Sequence, residues 1–153
     1  MSFLNVKIEL LDPICAPKQK TDGAAGFDLV AREGLYLDVG TRATIPVGIK
    51  LELPPGTEAQ IRGRSSLNFK GYEASFGTID SDYRGEVLVI MANKGQSPLV
   101  ISRGDRVAQM VIQELPRVRL ELLAPGEKLT DTARGAGGFG STGTSDLNSG
   151  TDS

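Results

Sequence analysis

Between Gly77 and Gly85 the chain sets two carboxylates, an aromatic ring and a guanidinium close together, in Gly-Thr-Ile-Asp-Ser-Asp-Tyr-Arg-Gly. Carboxylates held at fixed positions can act as general bases or bind a hard cation through oxygen. Directly after them comes Val87-Leu88-Val89-Ile90-Met91, an apolar, β-branched run that reads as a strand. The pattern predicts a hairpin turn that presents Asp80, Asp82, Tyr83 and Arg84 from the edge of a sheet, where a rigid scaffold can hold polar groups. A solvated turn, with its Asp residues favouring the turn itself, explains this stretch in isolation equally well.

The rest of the composition narrows the chemistry. The 153 residues contain no histidine, which removes imidazole bases, Ser-His triads and His-ligated metals. Carboxylates and backbone groups are left to do any catalysis, and a divalent ion would be a hard one taken by oxygen ligands. Cys15 is the only cysteine, so no disulfide can form within the chain, and a reducing compartment fits. Lys and Arg number 17 against 19 Asp and Glu, a net charge of −2 that argues against generic nucleic-acid or membrane-surface binding. No apolar run approaches the ~20 residues of a membrane span, and the first residues lack the regions of a signal peptide. The expectation is a soluble cytoplasmic protein, one domain in size.

Four further segments are richer in glycine and polar residues than a fold alone requires. In Ala24-Ala25-Gly26-Phe27-Asp28-Leu29, Asp28 lies between two apolar residues and can point opposite to them on a strand. In Gly63-Arg64-Ser65-Ser66-Leu67-Asn68-Phe69-Lys70-Gly71, Ser65 or Ser66 can N-cap a helical turn. Its free N–H groups, with Arg64 beside them, would suit a phosphate. Gly104-Asp105 turns into Arg106-Val107-Ala108-Gln109-Met110-Val111-Ile112, where Gln109 sits among apolar neighbours and needs a backbone or ligand partner. From Arg134 to Gly143 half the residues are glycine, which lets backbone N–H groups approach an anion, with Arg134 as a charged fork and Phe139 as a stacking ring. Each segment alone also reads as an ordinary cap, turn or flexible tail.

The elements that would position these groups are short and alternating. Residues 6–10, 35–39, 44–47, 49–53, 59–62, 87–91, 99–101, 107–112 and 118–122 read as strands, with turn signals every 8–12 residues. The pattern predicts an all-β sandwich or jelly roll. Residues 144–153 are polar and cannot bury enough apolar surface to offset ordering, so they read as a disordered tail.

Taken in order, the five segments resemble the five motifs of the trimeric dUTP pyrophosphatases (dUTPases): AAGFDL at 24–29, GRSSLNFKG at 63–71, GTIDSDYRGEV at 77–87, GDRVAQMVI at 104–112 and RGAGGFGSTG at 134–143. The resemblance implies an all-β jelly-roll or distorted β-barrel homotrimer with three active sites, each shared among the three chains. Residues 1–133 would form the core, and the arm 134–143 would close over a neighbour's site. The implied reaction is dUTP and water to dUMP and pyrophosphate with Mg²⁺, which keeps uracil out of DNA and supplies dUMP for thymidylate synthesis.

Carried over by position, the resemblance makes Asp80 the base that activates water. It makes Tyr83 the ring that leaves no room for a 2′-OH, and the backbone around Gly77 and Ile79 the partner of uracil. Arg64, Ser65, Ser66 and Gln109 match phosphate ligands, and Asp28 matches an acidic residue in the metal's water shell. Arg134 would reach the terminal phosphate, Phe139 would stack on uracil, and Gly140, Ser141 and Thr142 would cradle phosphates. Two positions depart from the pattern: Ala74 stands where many relatives carry an Asn that recognises uracil, and Ser66 where many carry Gly. Two other readings stay open: a dCTP deaminase of related fold, and a nucleotide-responsive binding partner.

Overall fold

The computed structural model describes residues 2–140. The chain divides into two compact units, Met1–Arg117 and Val118–Ser153.

The first unit is almost entirely β. Its strands are β1 (Lys7–Leu10), β2 (Phe27–Val30), β3 (Leu35–Leu37), β4 (Arg42–Pro46), β5 (Ile49–Glu52) and β6 (Thr57–Arg62), followed by β7 (Tyr72–Ala74), β8 (Gly77–Ile79), β9 (Leu88–Asn93), β10 (Leu99–Ile101) and β11 (Arg106–Glu114). One five-residue helix, α1 (Ser65–Phe69), and a 3-10 turn at Pro13–Cys15 interrupt them. The strands pair antiparallel in small sheets of order β1-β5, β10-β3, β2-β11-β6-β8 and β4-β9-β7. The expected all-β jelly-roll architecture is therefore what forms.

Alternation explains the core. Along β6, Thr57, Ala59 and Ile61 are buried while Glu58, Gln60 and Arg62 are only half-buried. Ile49 and Leu51 of β5, Val89 and Met91 of β9, and Leu29, Val107 and Met110 close the same apolar interior. Burial of this kind contributes about 25 cal/mol per Å² of apolar surface removed from water. Asn93 is buried too and is satisfied: its Nδ2 donates to the carbonyls of Leu37 (3.0 Å) and Ser97 (2.9 Å), and its Oδ1 accepts from Gly95 N (3.0 Å).

Three expectations change. β8 pairs with β6 whereas β9 pairs with β4 and β7, so residues 80–87 carry the chain from one sheet to another and are not a hairpin turn. The N-cap of α1 is Arg64, in extended backbone (φ −94°, ψ 137°) and without a side-chain cap, so neither Ser65 nor Ser66 caps the turn. Residues 118–122 form no strand among the described residues, and Val118, Leu120 and Leu122 are exposed. A strand exists only as part of a paired ladder, and alternation supplies no partner. No helix among the described residues is long and apolar enough to cross a membrane.

Asp12 anchors the 3-10 turn. Its Oδ1 accepts from Ile14 N at 3.1 Å, and Arg103 grips the carboxylate through Nε (2.9 Å) and Nη2 (2.7 Å). The Ile14 N–H first, and Arg103 after it, hold this carboxyl below the usual carboxylate range. A lowered folded-state value contributes stability above the unfolded-state value, about 3.9, and that contribution is lost as pH falls through the folded value. Asp12→Asn should therefore lower Tm at pH 7, with the gap to the parent closing below about pH 4. Thermal melts across pH check this; a gap independent of pH would refute the ionic part of the anchor.

Candidate functional site

The crossover after β8 is built by its own hydrogen bonds. Tyr83 N donates to Asp80 O at 3.1 Å, which closes a tight turn. Arg84 Nη1 donates to the carbonyls of Ser81 (2.6 Å) and Tyr83 (3.2 Å), and its Nη2 lies 3.9 Å from Glu52 Oε1 on β5, so this guanidinium braces the loop and ties it to a neighbouring strand. The Tyr83 hydroxyl donates to Glu86 O at 3.0 Å. The ring lies against Gly85, where a Cβ would come within 2.6 Å of Tyr83 Cζ, so only glycine leaves the ring its seat. Glu86 in turn pairs with Arg32 at 2.9 Å.

These groups border a pocket of about 220 Å³, lined by Ile61, Gly77, Thr78, Ile79, Asp80 and Tyr83 together with residues 86–88. Asp80 is exposed at its rim and Tyr83 half-exposed. β8 is the edge strand of its sheet, so its outer backbone N–H and C=O groups have no strand partner within that sheet. The pocket thus offers a carboxylate, an anchored ring and a row of backbone donors and acceptors, which together suit a flat polar ring joined to a sugar.

A second cluster forms where β2 and β11 pair. Asp28 Oδ1 lies 4.0 Å from Arg64 Nε, and Asp28 Oδ2 lies 3.8 Å from Arg106 Nη1. Arg64 Nη1 donates to Arg106 O at 3.4 Å. Gln109 stands opposite Asp28 on β2 and Arg62 on β6. Its Nε2 donates to Gly63 O at 3.1 Å, and a Cβ on Gly26 would lie 2.8 Å from its Oε1. The backbone partner expected for this half-buried Gln is therefore found. The hydroxyl-bearing Ser65 and Ser66 open α1 and are exposed. Two guanidinium groups against one carboxylate leave this cluster net positive, which suits an anion.

Among the described residues no group of three acidic, Cys or His side chains could hold a metal. Asp28 therefore offers a single carboxylate. That donor set fits a cation bound mostly by phosphate oxygens and water, in the manner of Mg²⁺, better than one caged by the protein.

In the second unit, Arg134 Nε donates to Gly137 O at 2.7 Å, and Phe139, with φ of 47°, exposes its ring fully. Gly140 follows with φ of 86°. Ser141, Thr142 and the tail 144–153 lie outside the described residues.

The chain thus gathers Asp28, Arg64 and Gln109 in one place, and Asp80, Tyr83 and the backbone of Gly77 and Ile79 in another. Asp28 on β2 and Asp80, just past the end of β8, stand at opposite edges of the sheet β2-β11-β6-β8. The register sets Asp28 level with Arg62 but Asp80 beyond Ala59, so they are separated both across and along the strands. Arg106, Gly85, Glu86 and Arg32 acquire roles from the structure that the sequence analysis did not assign to them. For Arg106 a signal existed, since it follows the Gly104-Asp105 turn and opens the strand carrying Gln109.

Comparison with known proteins agrees with this geometry. The family model described as dUTPase matches residues 12–143. A deoxyuridine 5′-triphosphate nucleotidohydrolase of Anaeromyxobacter sp. (strain Fw109-5) is 50% identical over 134 residues, covering 86% of this chain and 89% of that protein. One from Rhizobium rhizogenes is 51% identical over 134 residues, covering 83% and 84%. Among solved structures, a Staphylococcus bacteriophage 80alpha dUTPase mutant with dUpNHpp superposes with a TM-score of 0.83 at 21% identity, covering 92% of this chain and 99% of that one. A mutant dUTPase of S. aureus phage phi11, solved with a structural Mg(II) ion, superposes at 0.73 and 20% identity, covering 78% and 96%. The fold is shared with the phage enzymes, and with a family match over most of its length and half of the aligned residues identical to these bacterial relatives, the chain belongs to the dUTPase family.

Proposed function

We propose that this protein hydrolyses dUTP to dUMP and pyrophosphate in the cytoplasm. The observation that carries the reading is the pocket beside β8, where Asp80 shares a rim with the anchored Tyr83 and the edge backbone.

In this reading the outer backbone groups of Gly77 and Ile79 pair with the uracil edge, and Tyr83 packs on the deoxyribose. Because Ala74 offers no polar side chain, base recognition falls to that backbone. Asp80 holds a water in line with the α-phosphorus and takes its proton as the O–P bond forms. The bond from the α-phosphorus to the bridging oxygen breaks, and pyrophosphate leaves. Arg64, Gln109, Ser65 and Ser66 hold phosphate oxygens. Asp28 would help hold Mg²⁺ through water, and the ion would supply charge neutralisation on the triphosphate.

Two features support a homotrimer with shared sites. Asp80 and the Asp28–Arg64 cluster lie at opposite edges of a sheet within one chain, so one catalytic constellation draws them from different copies. β9 is apolar on both faces: Val89 and Met91 are buried, while Leu88 and Ile90 are half-exposed, 48% and 45%, on a central strand. Such a face is covered in a stable assembly. The arm 134–143 then closes over a neighbour's site, with Arg134 on the terminal phosphate, Phe139 on uracil, and Gly140 and Ser141 around the phosphates.

The test is pyrophosphate release by purified protein with Mg²⁺, offered dUTP, dCTP, UTP and dTTP separately. Release from dUTP alone is expected. Release from several nucleotides would refute selection of uracil and deoxyribose by this pocket, ammonia from dCTP would establish a deaminase, and no reaction would overturn the hydrolase.

A further inference from the structure

The crossover 80–87 carries both Asp80 and Tyr83, and its shape is set partly by a residue outside all five motifs. Arg32 follows Ala31 just beyond the end of β2. Its Nη1 donates to both Glu86 oxygens, at 2.9 and 3.3 Å, across 54 positions of sequence. Glu86 is one of the residues lining the Asp80–Tyr83 pocket, and its backbone carbonyl accepts the Tyr83 hydroxyl at 3.0 Å. Any movement of Glu86 is therefore transmitted to the ring. The peptide group that bears this carbonyl is also held from the core, since Val87 N donates to Ile49 O at 2.9 Å and the Val87 carbonyl accepts from Val47 N at 3.3 Å. Arg32 therefore adds its hold through the Glu86 side chain and Cα. Between the end of β8 and Val87 the Arg32–Glu86 pair is the closer of two long-range ion pairs, the other being Arg84 Nη2 to Glu52 Oε1 at 3.9 Å, on a segment whose remaining bonds are local.

We infer that Arg32 is a positioning residue for the site: through Glu86 it fixes the Tyr83 ring and the loop that bears Asp80, and so sharpens discrimination between deoxyribo- and ribonucleotides. This inference rests on the dUTP reading above. A partly exposed pair, with Arg32 at 42% and Glu86 at 21%, is worth little to global stability, but a small displacement of a ring that excludes one hydroxyl is read directly in specificity. The pair is charge-assisted and single-pronged from Arg32, so a lysine can make the same contact.

The experiment compares the parent protein with Arg32→Gln and Arg32→Lys. Steady-state kinetics with dUTP and with UTP is read beside thermal melts and hydrogen–deuterium exchange. In Arg32→Gln, kcat/KM for dUTP should fall roughly fivefold, with UTP affected less, so that the preference for dUTP narrows. Arg32→Lys should recover most of the preference. Amides across 80–87 should exchange faster in Arg32→Gln while those of β11 do not change. A lower Tm with unchanged preference and unchanged exchange over 80–87 would reduce the pair to a surface contact and overturn the inference. Should the parent release no pyrophosphate from dUTP, the functional reading fails by itself, and the exchange result still decides whether Arg32 holds the crossover.

Discussion

Replacing Asp80 with Asn should lower turnover of dUTP by about three orders of magnitude, or roughly 4 kcal/mol of barrier, while leaving assembly and nucleotide binding nearly unchanged. The amide keeps the size and hydrogen-bonding reach of the carboxylate but cannot take the proton of an attacking water. Asp80 is exposed at the pocket rim and contributes to the fold through its backbone carbonyl, which accepts from Tyr83 N at 3.1 Å and survives the substitution. The loss should therefore appear in kcat, with KM and melting temperature close to the parent's. With no histidine in the chain, no imidazole is available to take over the base function. Single-turnover pyrophosphate release, with calorimetric titration of a non-hydrolysable imido analogue, separates the two effects. Equal turnover in the two proteins would remove Asp80 from the mechanism, and lost binding would make its role structural.

Most of the core strands were legible in the sequence because burial on one face writes a period of two, as in β5 and β6. Of the four three-residue strands, the wholly apolar or aromatic β3 and β10 were legible and β7 and β8 were not. Tyr72-Glu73-Ala74 carries too little pattern to register, and β8 consists of Gly77, Thr78 and Ile79, beginning at a residue that disfavours strands. Their pairing partners lie in different sheets, which is non-local information, and so the segment between β8 and β9 reads as a hairpin until the ladders are known. The expected strand at 118–122 fails for the converse reason: it has the period but, among the described residues, no ladder.

The candidate site was legible to the extent that its chemistry is local. Asp80 and Tyr83 sit three residues apart, and the turn that joins them is short. Asp28, Arg64 and Gln109 are scattered in sequence, and the structure brings them together through the β2–β11–β6 register. The N-cap of α1 was assigned to serine on intrinsic preference, whereas the chain enters the helix from extended backbone at Arg64, and that keeps the guanidinium beside Asp28. Arg32 could not be found from sequence at all, since an Arg near a strand end is ordinary until its partner 54 positions away is placed.

Deleting residues 134–153 should abolish turnover, by about three orders of magnitude or more, while leaving the β core folded. Among the described residues the last strand is β11, which ends at Glu114. Within 134–140 the hydrogen bonds are local, Gly135 N to Thr132 O at 3.1 Å and Gly137 N to Arg134 O at 3.1 Å, with Arg134 closing on Gly137 O. Such a glycine-rich segment gains little by ordering on its own chain, so the free energy for closure has to come from a ligand's phosphates and base. Closure of that kind excludes water and completes the catalytic constellation, and its loss falls on chemistry more than on stability. Far-UV spectra and the melting temperature of the truncated protein should match the parent's to within about 3 °C, while pyrophosphate release disappears. Two point variants divide the effect: Phe139→Ala should raise KM by removing a stacking face, and Arg134→Gln should weaken the hold on the terminal phosphate. Full activity in the truncated protein would refute the arm's role, and loss of the fold would show instead that these residues stabilise the core. Intact structure with vanished turnover is the pattern that distinguishes an arm recruited by substrate from one that merely follows the last strand.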